Sequence, residues 1–137
     1  MDKPRMLLVD DERPFLEVLT ERLTSREFEV LACESGPEAL RVLDGGQVVD
    51  VIMPGLSGVE TLREIKRRFP RVEVIMLTGQ ATVRTGIEGM RLGAFDYLEK
   101  PCDLGQLVMK VNEAKARRDR RMKRRGRSER RDIGSRD

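Results

Sequence analysis

Histidine and tryptophan are absent from this chain of 137 residues, and aromatic residues make up only 4% of it. Without histidine, histidine-based catalytic triads and histidine-ligated metal centres are excluded. Cysteine is scarce. Cys33 and Cys102 lie far apart with no CxxC spacing, so neither a disulfide framework nor a thiolate zinc site is expected, and both read as buried or bystander thiols. No apolar run approaches the roughly 18 residues that span a bilayer, and the N-terminus lacks the apolar stretch of a signal peptide. The expectation is a cytoplasmic protein with no membrane partner.

What the chain does have is charge, at 37% of residues, unevenly placed. Residues 115–137 hold 12 Lys or Arg and 4 Asp or Glu, a net of +8; residues 1–114 hold 15 and 20, a net of −5. An acidic body therefore precedes a basic tail. The length suits one compact unit plus that tail, divided here as a domain over 1–118 and a basic, disordered tail over 119–137.

Apolar runs alternate with helical patterns from residue 5 to about 118, as in βαβ units built on a parallel sheet. Met6 to Val9 reads as a first strand. Pro14 suits the first turn of a helix carrying Phe15, Val18, Leu19 and Leu23 on one stripe. Phe28 to Cys33 follows as a strand, and Ser35-Gly36-Pro37-Glu38 as a capping box before Ala39, Leu40 and Leu43. Gly45-Gly46 stops that helix. Val48-Val49-Asp50 reads as the third strand, with Met53-Pro54-Gly55 a turn after it. A helix from Ser57 or Gly58 turns Leu62, Ile65 and Phe69 inward. Val72 to Leu77 is the clearest strand, and Ala81 to Leu92 is a helix weakened by Gly86 and Gly89. Phe95 to Leu98 makes a fifth strand, and Asp103 caps a last helix through Leu107, Val108, Val111 and Ala114.

In such a sheet the carboxyl ends of the strands share one crevice, where these folds bind ligands. Asp10-Asp11, Asp50, Thr78 and Lys100-Pro101 each follow a different predicted strand. Adjacent carboxylates suit a hard divalent cation, and a carboxylate can itself accept a phosphoryl group if the oxygens are neutralised. Mg²⁺ and Lys100 would supply that neutralisation, with the Thr78 hydroxyl as donor. Taken singly, the Asp pair is as well explained as a helix cap, and a lone Thr or Lys as solvated.

Taken together, Leu8-Val9-Asp10-Asp11-Glu12, Asp50-x-x-Met53-Pro54-Gly55-x-x-Gly58, Leu77-Thr78-Gly79 and Gly93-Ala94-Phe95-Asp96-Tyr97-Leu98-x-Lys100-Pro101 resemble the receiver domain of two-component response regulators, over residues 5 to about 118. The resemblance implies a flavodoxin-like α/β fold, (βα)5, with a five-stranded parallel sheet in the order 2-1-3-4-5 and helices on both faces. It implies that Asp50 accepts a phosphoryl group from a sensor histidine kinase. Asp10, Asp11, Asp50 and the Ile52 carbonyl would then surround Mg²⁺, and Lys100, before a cis Pro101, would contact the phosphoryl group. Thr78 and Tyr97 would form a switch altering the surface of the fourth helix, fifth strand and fifth helix, through which a homodimer could form. Gly79 would leave the phosphoryl entrance open, and Ile52 and Gln80 would set the lifetime of the signal. Such a protein is a phosphoacceptor rather than a turnover enzyme, and is bacterial by the same resemblance. Dehalogenase-type phosphatases also use Asp nucleophiles, but their DxDx arrangement is not present.

One departure stands out. Only Val48 and Val49 precede Asp50 after Gly46 and Gln47, where a central strand has about five residues. Either Asp50 is the acceptor on a shortened third strand, or Val48-Val49-Asp50 begins the strand and the acceptor is missing. The first reading is preferred on the position of Asp50 before Val-Ile-Met-Pro-Gly. The second makes the chain a phosphate-independent receiver acting as an interaction module. Arg117 to Arg131 has no aromatics for stacking, and reads as a solvated helix end in preference to a nucleic-acid arm over 115–131.

Overall fold

The computed structural model describes residues 5–46, 49–54, 58–78, 83–100 and 102–134, with the backbone alone described at 51–54, 58, 78, 83–86, 122 and 124–134. Strands and helices alternate as β1 (Arg5–Val9), α1 (Arg13–Ser25), β2 (Glu29–Cys33), α2 (Gly36–Asp44), β3 (Val51–Pro54), α3 (Gly58–Arg68), β4 (Glu73–Thr78), α4 (Val83–Arg91), β5 (Asp96–Glu99) and α5 (Leu104–Gly134). All strand pairs are parallel, in the order β2-β1-β3-β4-β5.

Successive side chains of a strand face opposite ways, so β1 serves both layers. Met6 and Leu8 join Leu16, Leu19 and Leu23 of α1 and Leu107, Val111 and Ala114 of α5 in one core. Leu7 and Val9 join Ala39 and Leu43 of α2 and Leu62 and Ile65 of α3 in the other. The α1 stripe is displaced from the predicted one. Leu16 is buried in it, whereas Val18 is half exposed, because positions 16, 19 and 23 share a face that 18 does not.

The predicted caps are present. The Ser35 Oγ accepts from Glu38 N at 3.3 Å, and the Glu38 carboxylate accepts in return from Glu34 N at 3.2 Å. Asp103 Oδ2 accepts from Gln106 N at 3.2 Å at the start of α5. Gly36 must lack a side chain, since a Cβ there would collide with Thr61 Oγ1 of α3. Gly93, with φ +102°, ends α4 in a conformation that favours glycine.

Two expectations are corrected. The third strand is Val51–Pro54, not Val48-Val49-Asp50, and Pro54 is its last residue rather than part of a turn. Met6 to Val9 pair in register with Val51 to Pro54. Helix α2 ends at Asp44 on the amino side of the sheet, so the chain needs residues between Asp44 and Val51 to re-enter it. The last helix also continues through Gly134, where a disordered tail from 119 was expected. Lys, Arg and Glu favour helix and no proline interrupts residues 119–134.

Leu107 is fully buried, while Met109 on the same helix is 52% exposed. Leu107→Ala is expected to cost about 2–5 kcal/mol in urea unfolding. Met109→Ala is expected to stay within about 0.5 kcal/mol.

Candidate functional site

Asp10 follows β1 at the carboxyl edge of the sheet and is almost fully buried. Its backbone N–H donates to the Cys33 carbonyl at 3.0 Å, which extends the β1–β2 pairing by one residue. One carboxylate oxygen accepts from Glu12 N at 2.8 Å; the other accepts from Lys100 Nζ at 2.5 Å. Lys100 also donates to Glu12 Oε1 at 3.2 Å and lies 4.1 Å from the centroid of the Phe15 ring. With a side chain only 9% exposed, Lys100 is an internal cation held by two carboxylates and an aromatic face. Asp11 beside it is exposed.

Asp50 is not part of this group. Its N–H donates to the Arg5 carbonyl at 2.7 Å and its Oδ2 accepts from Arg5 N at 3.0 Å, so it faces the first residue of β1. The other carboxylate oxygen accepts from Arg118 of α5. Asp50 therefore stands at the amino edge. Five residues of β1 separate it from Asp10, about 16 Å at 3.3 Å per residue. Ile52 is in register with Leu7 and Val74 in mid-sheet, so its carbonyl is not at the carboxyl edge either.

The expected magnesium set of Asp10, Asp11, Asp50 and Ile52 is thus divided between two ends of the sheet. Asp10 already spends both oxygens on Glu12 N and Lys100, and among the described residues no three acidic or thiol groups cluster as metal ligands. The residues present do not fit the ion as that set. Thr78 ends β4 in register with Glu99, and its side chain lies outside the described residues, as do Gly79, Gln80 and Pro101 with its cis bond. Tyr97 is exposed on β5.

A second charged centre, which the sequence reading passed over, occupies the amino edge. Glu73 is fully buried at the start of β4, and its two oxygens meet Arg117 and Arg121, the latter at 3.1 Å. Arg117 also lies 4.5 Å from the Phe95 ring centroid. A glutamate between Val72 and Val74 was the available signal, since a buried carboxylate requires a cation. Together, Asp50 and Glu73 clamp Arg117, Arg118 and Arg121 of α5 against the sheet.

Known proteins agree with this fold. Residues 6–112 match the family profile of the response regulator receiver domain. The chain belongs to that family, the signalling domain of two-component response regulators. Over 110 residues it is 38% identical to the transcriptional regulatory protein CpxR of Klebsiella pneumoniae subsp. pneumoniae (strain HS11286), covering 78% of this chain and 47% of that protein. It is 34% identical over 114 residues to the regulatory protein AtoC of Escherichia coli (strain K12), covering 80% and 25%. The chain thus spans half or less of the length of these relatives. A response regulator receiver domain protein from Clostridium thermocellum superposes with a TM-score of 0.79 at 34% identity, over 85% of this chain and 97% of that one. A CheY-like receiver from Methanospirillum hungatei JF-1 shares the fold, with a TM-score of 0.82 at 22% identity over 88% and 99%.

Cys33, beside the Asp10 backbone, has its thiol pushed up to about 11 from an ordinary 9.0, first by burial and then by the charge of Glu38. The folded state keeps a proton that the unfolded chain releases. This stabilising contribution is complete below about pH 9 and disappears as pH rises toward about 11. Cys33→Ala is expected to flatten the fall of the urea midpoint across that window.

Proposed function

We propose that this chain is a receiver-fold signalling module that acts through its surfaces without carrying a phosphoryl group on Asp50. The observation that supports this is the position of Asp50 at the amino edge, bound by Arg5 N–H and Arg118 and remote from Lys100. Phosphoryl transfer to a carboxylate requires cations around the equatorial oxygens. At the carboxyl edge, where those cations would act, β3 contributes Pro54 in register with Val9 instead of a carboxylate. Lys100 is already engaged there by Asp10 and Glu12.

The surface for output is the α4-β5-α5 face. Ile87 and Met90 on α4, Tyr97 on β5 and Met109 on α5 are exposed apolar residues, a composition suited to a protein partner, such as a sensor kinase, an effector or a second receiver. A cytoplasmic setting accords with this role. Among the described residues, no helix is long and apolar enough to cross a membrane.

The order Asp50-x-x-Met53-Pro54-Gly55 favours a second reading, in which Asp50 is the acceptor and Mg²⁺ its cofactor. It requires β3 to slide four residues along β1, from Asp50 opposite Arg5 to Asp50 opposite Val9, with loss of the Arg118 contact. Incubation with acetyl phosphate and Mg²⁺, read by intact mass, separates the two. No phosphoryl adduct is expected, and Asp50→Ala is expected to lower stability by about 3–5 kcal/mol by leaving Arg118 unpaired. A Mg²⁺-dependent adduct that vanishes in Asp50→Ala would overturn the proposal.

A further inference from the structure

Beyond the clamp, α5 continues from residue 122 to Gly134, a rod of about 20 Å at 1.5 Å per residue. That stretch holds six Lys or Arg (Lys123, Arg124, Arg125, Arg127, Arg130 and Arg131) against two acids, Glu129 and Asp132, a net of +4. It contains no aromatic residue, and Met122 and Ile133 are its only large apolar ones. Three cations nearer the body, Arg117, Arg118 and Arg121, are held in ion pairs by Glu73 and Asp50. Those contacts fix the root of the rod on the sheet.

We infer that this clamped helical arm is a docking surface for the phosphate backbone of nucleic acid. The magnitudes select the partner. Protein interfaces depend on buried aromatic and apolar anchors, which the arm lacks, and each exposed ion pair with an acidic protein contributes only about 0–1 kcal/mol. A nucleic acid releases a condensed counterion for each phosphate neutralised, so a few unpaired cations suffice for nonspecific binding at about 10⁻⁴–10⁻⁶ M. Residues 1–114 carry a net of −5 and repel a polyanion, which leaves the arm as the place of contact. The six cations beyond the clamp set the scale: a log–log salt slope of about −5 if all six meet phosphates, and about −3 if the rod presents only part of its circumference. This inference does not depend on whether Asp50 accepts phosphate.

Fluorescence anisotropy of the full chain with a labelled mixed-sequence DNA duplex tests it. Binding is expected at about 50 mM salt and is lost toward about 200 mM. The combined variant Lys123→Ala, Arg124→Ala, Arg125→Ala and Arg127→Ala is expected to lose at least about tenfold in affinity and to flatten the slope by about 2 or more, with its thermal midpoint unchanged because these residues lie beyond the clamp. Arg22→Ala on the acidic body is expected to keep the affinity. Absence of binding at low salt, or an unchanged slope in the combined variant, would overturn the inference. Equal affinity for polyglutamate would reassign the arm to acidic protein partners.

Discussion

Pairing of Val51–Pro54 with Met6–Val9 is the constraint on which the other relations in the molecule depend. A central parallel strand is matched by neighbours on both sides, so its register cannot drift without breaking two ladders. Here β3 has four residues, and α2 delivers the chain to the amino side of the sheet with little length to spare before Pro54. Residues up to Asp50 bring the chain back to the sheet. Asp50 consequently meets Arg5, the first residue of β1, rather than Asp10, the residue that follows it. A motif that reads as one continuous phosphorylation segment is thereby split, with its carboxylate at one edge and Pro54 at the other.

The two edges handle buried charge by the same physics. At the carboxyl edge Asp10 is satisfied by Glu12 N and by Lys100, with the Phe15 ring shielding the ammonium group. At the amino edge Glu73 takes two arginines and Asp50 takes a third. Removing the partner of a buried member such as Asp10, Lys100 or Glu73 costs about 3–5 kcal/mol, because that charge is left in the interior. Both clusters are therefore fixed once the sheet has formed. The amino-edge cluster extends the domain along α5 to Arg121, past the boundary at 118 drawn from composition, since it uses cations that the tail supplies.

Much of the fold was legible because it is written in local periodicity. The Ser35 to Glu38 cap, the Asp103 cap, the alternation within β1 and the inward Leu62 and Ile65 all depend on residues within a few positions of one another. The misplaced features depend on relations that no short window contains. Asp50 precedes Met-Pro-Gly in sequence, but its edge of the sheet is decided by the register of β3. Glu73 looks like a polar intrusion in an apolar strand until Arg117 and Arg121, more than forty residues later, return to it.

At the carboxyl edge Lys100 is already held by Asp10 and Glu12. Drawing it toward a new anion would strip Asp10 of its counter-charge in a site that water hardly reaches. Tyr97 meanwhile is exposed beside Asp96, which holds Lys110 of α5 at 2.9 Å between β5 and α5. One arrangement of that face is thus supported from within by paired charges and from without by an ion pair. On the proposed reading, with Pro54 opposite Val9, the balance between packings of that face would fall to whatever binds the surface. Regulation by a partner is then thermodynamically equivalent to regulation by phosphate, since either selects one packing only by the difference in its affinity for the two.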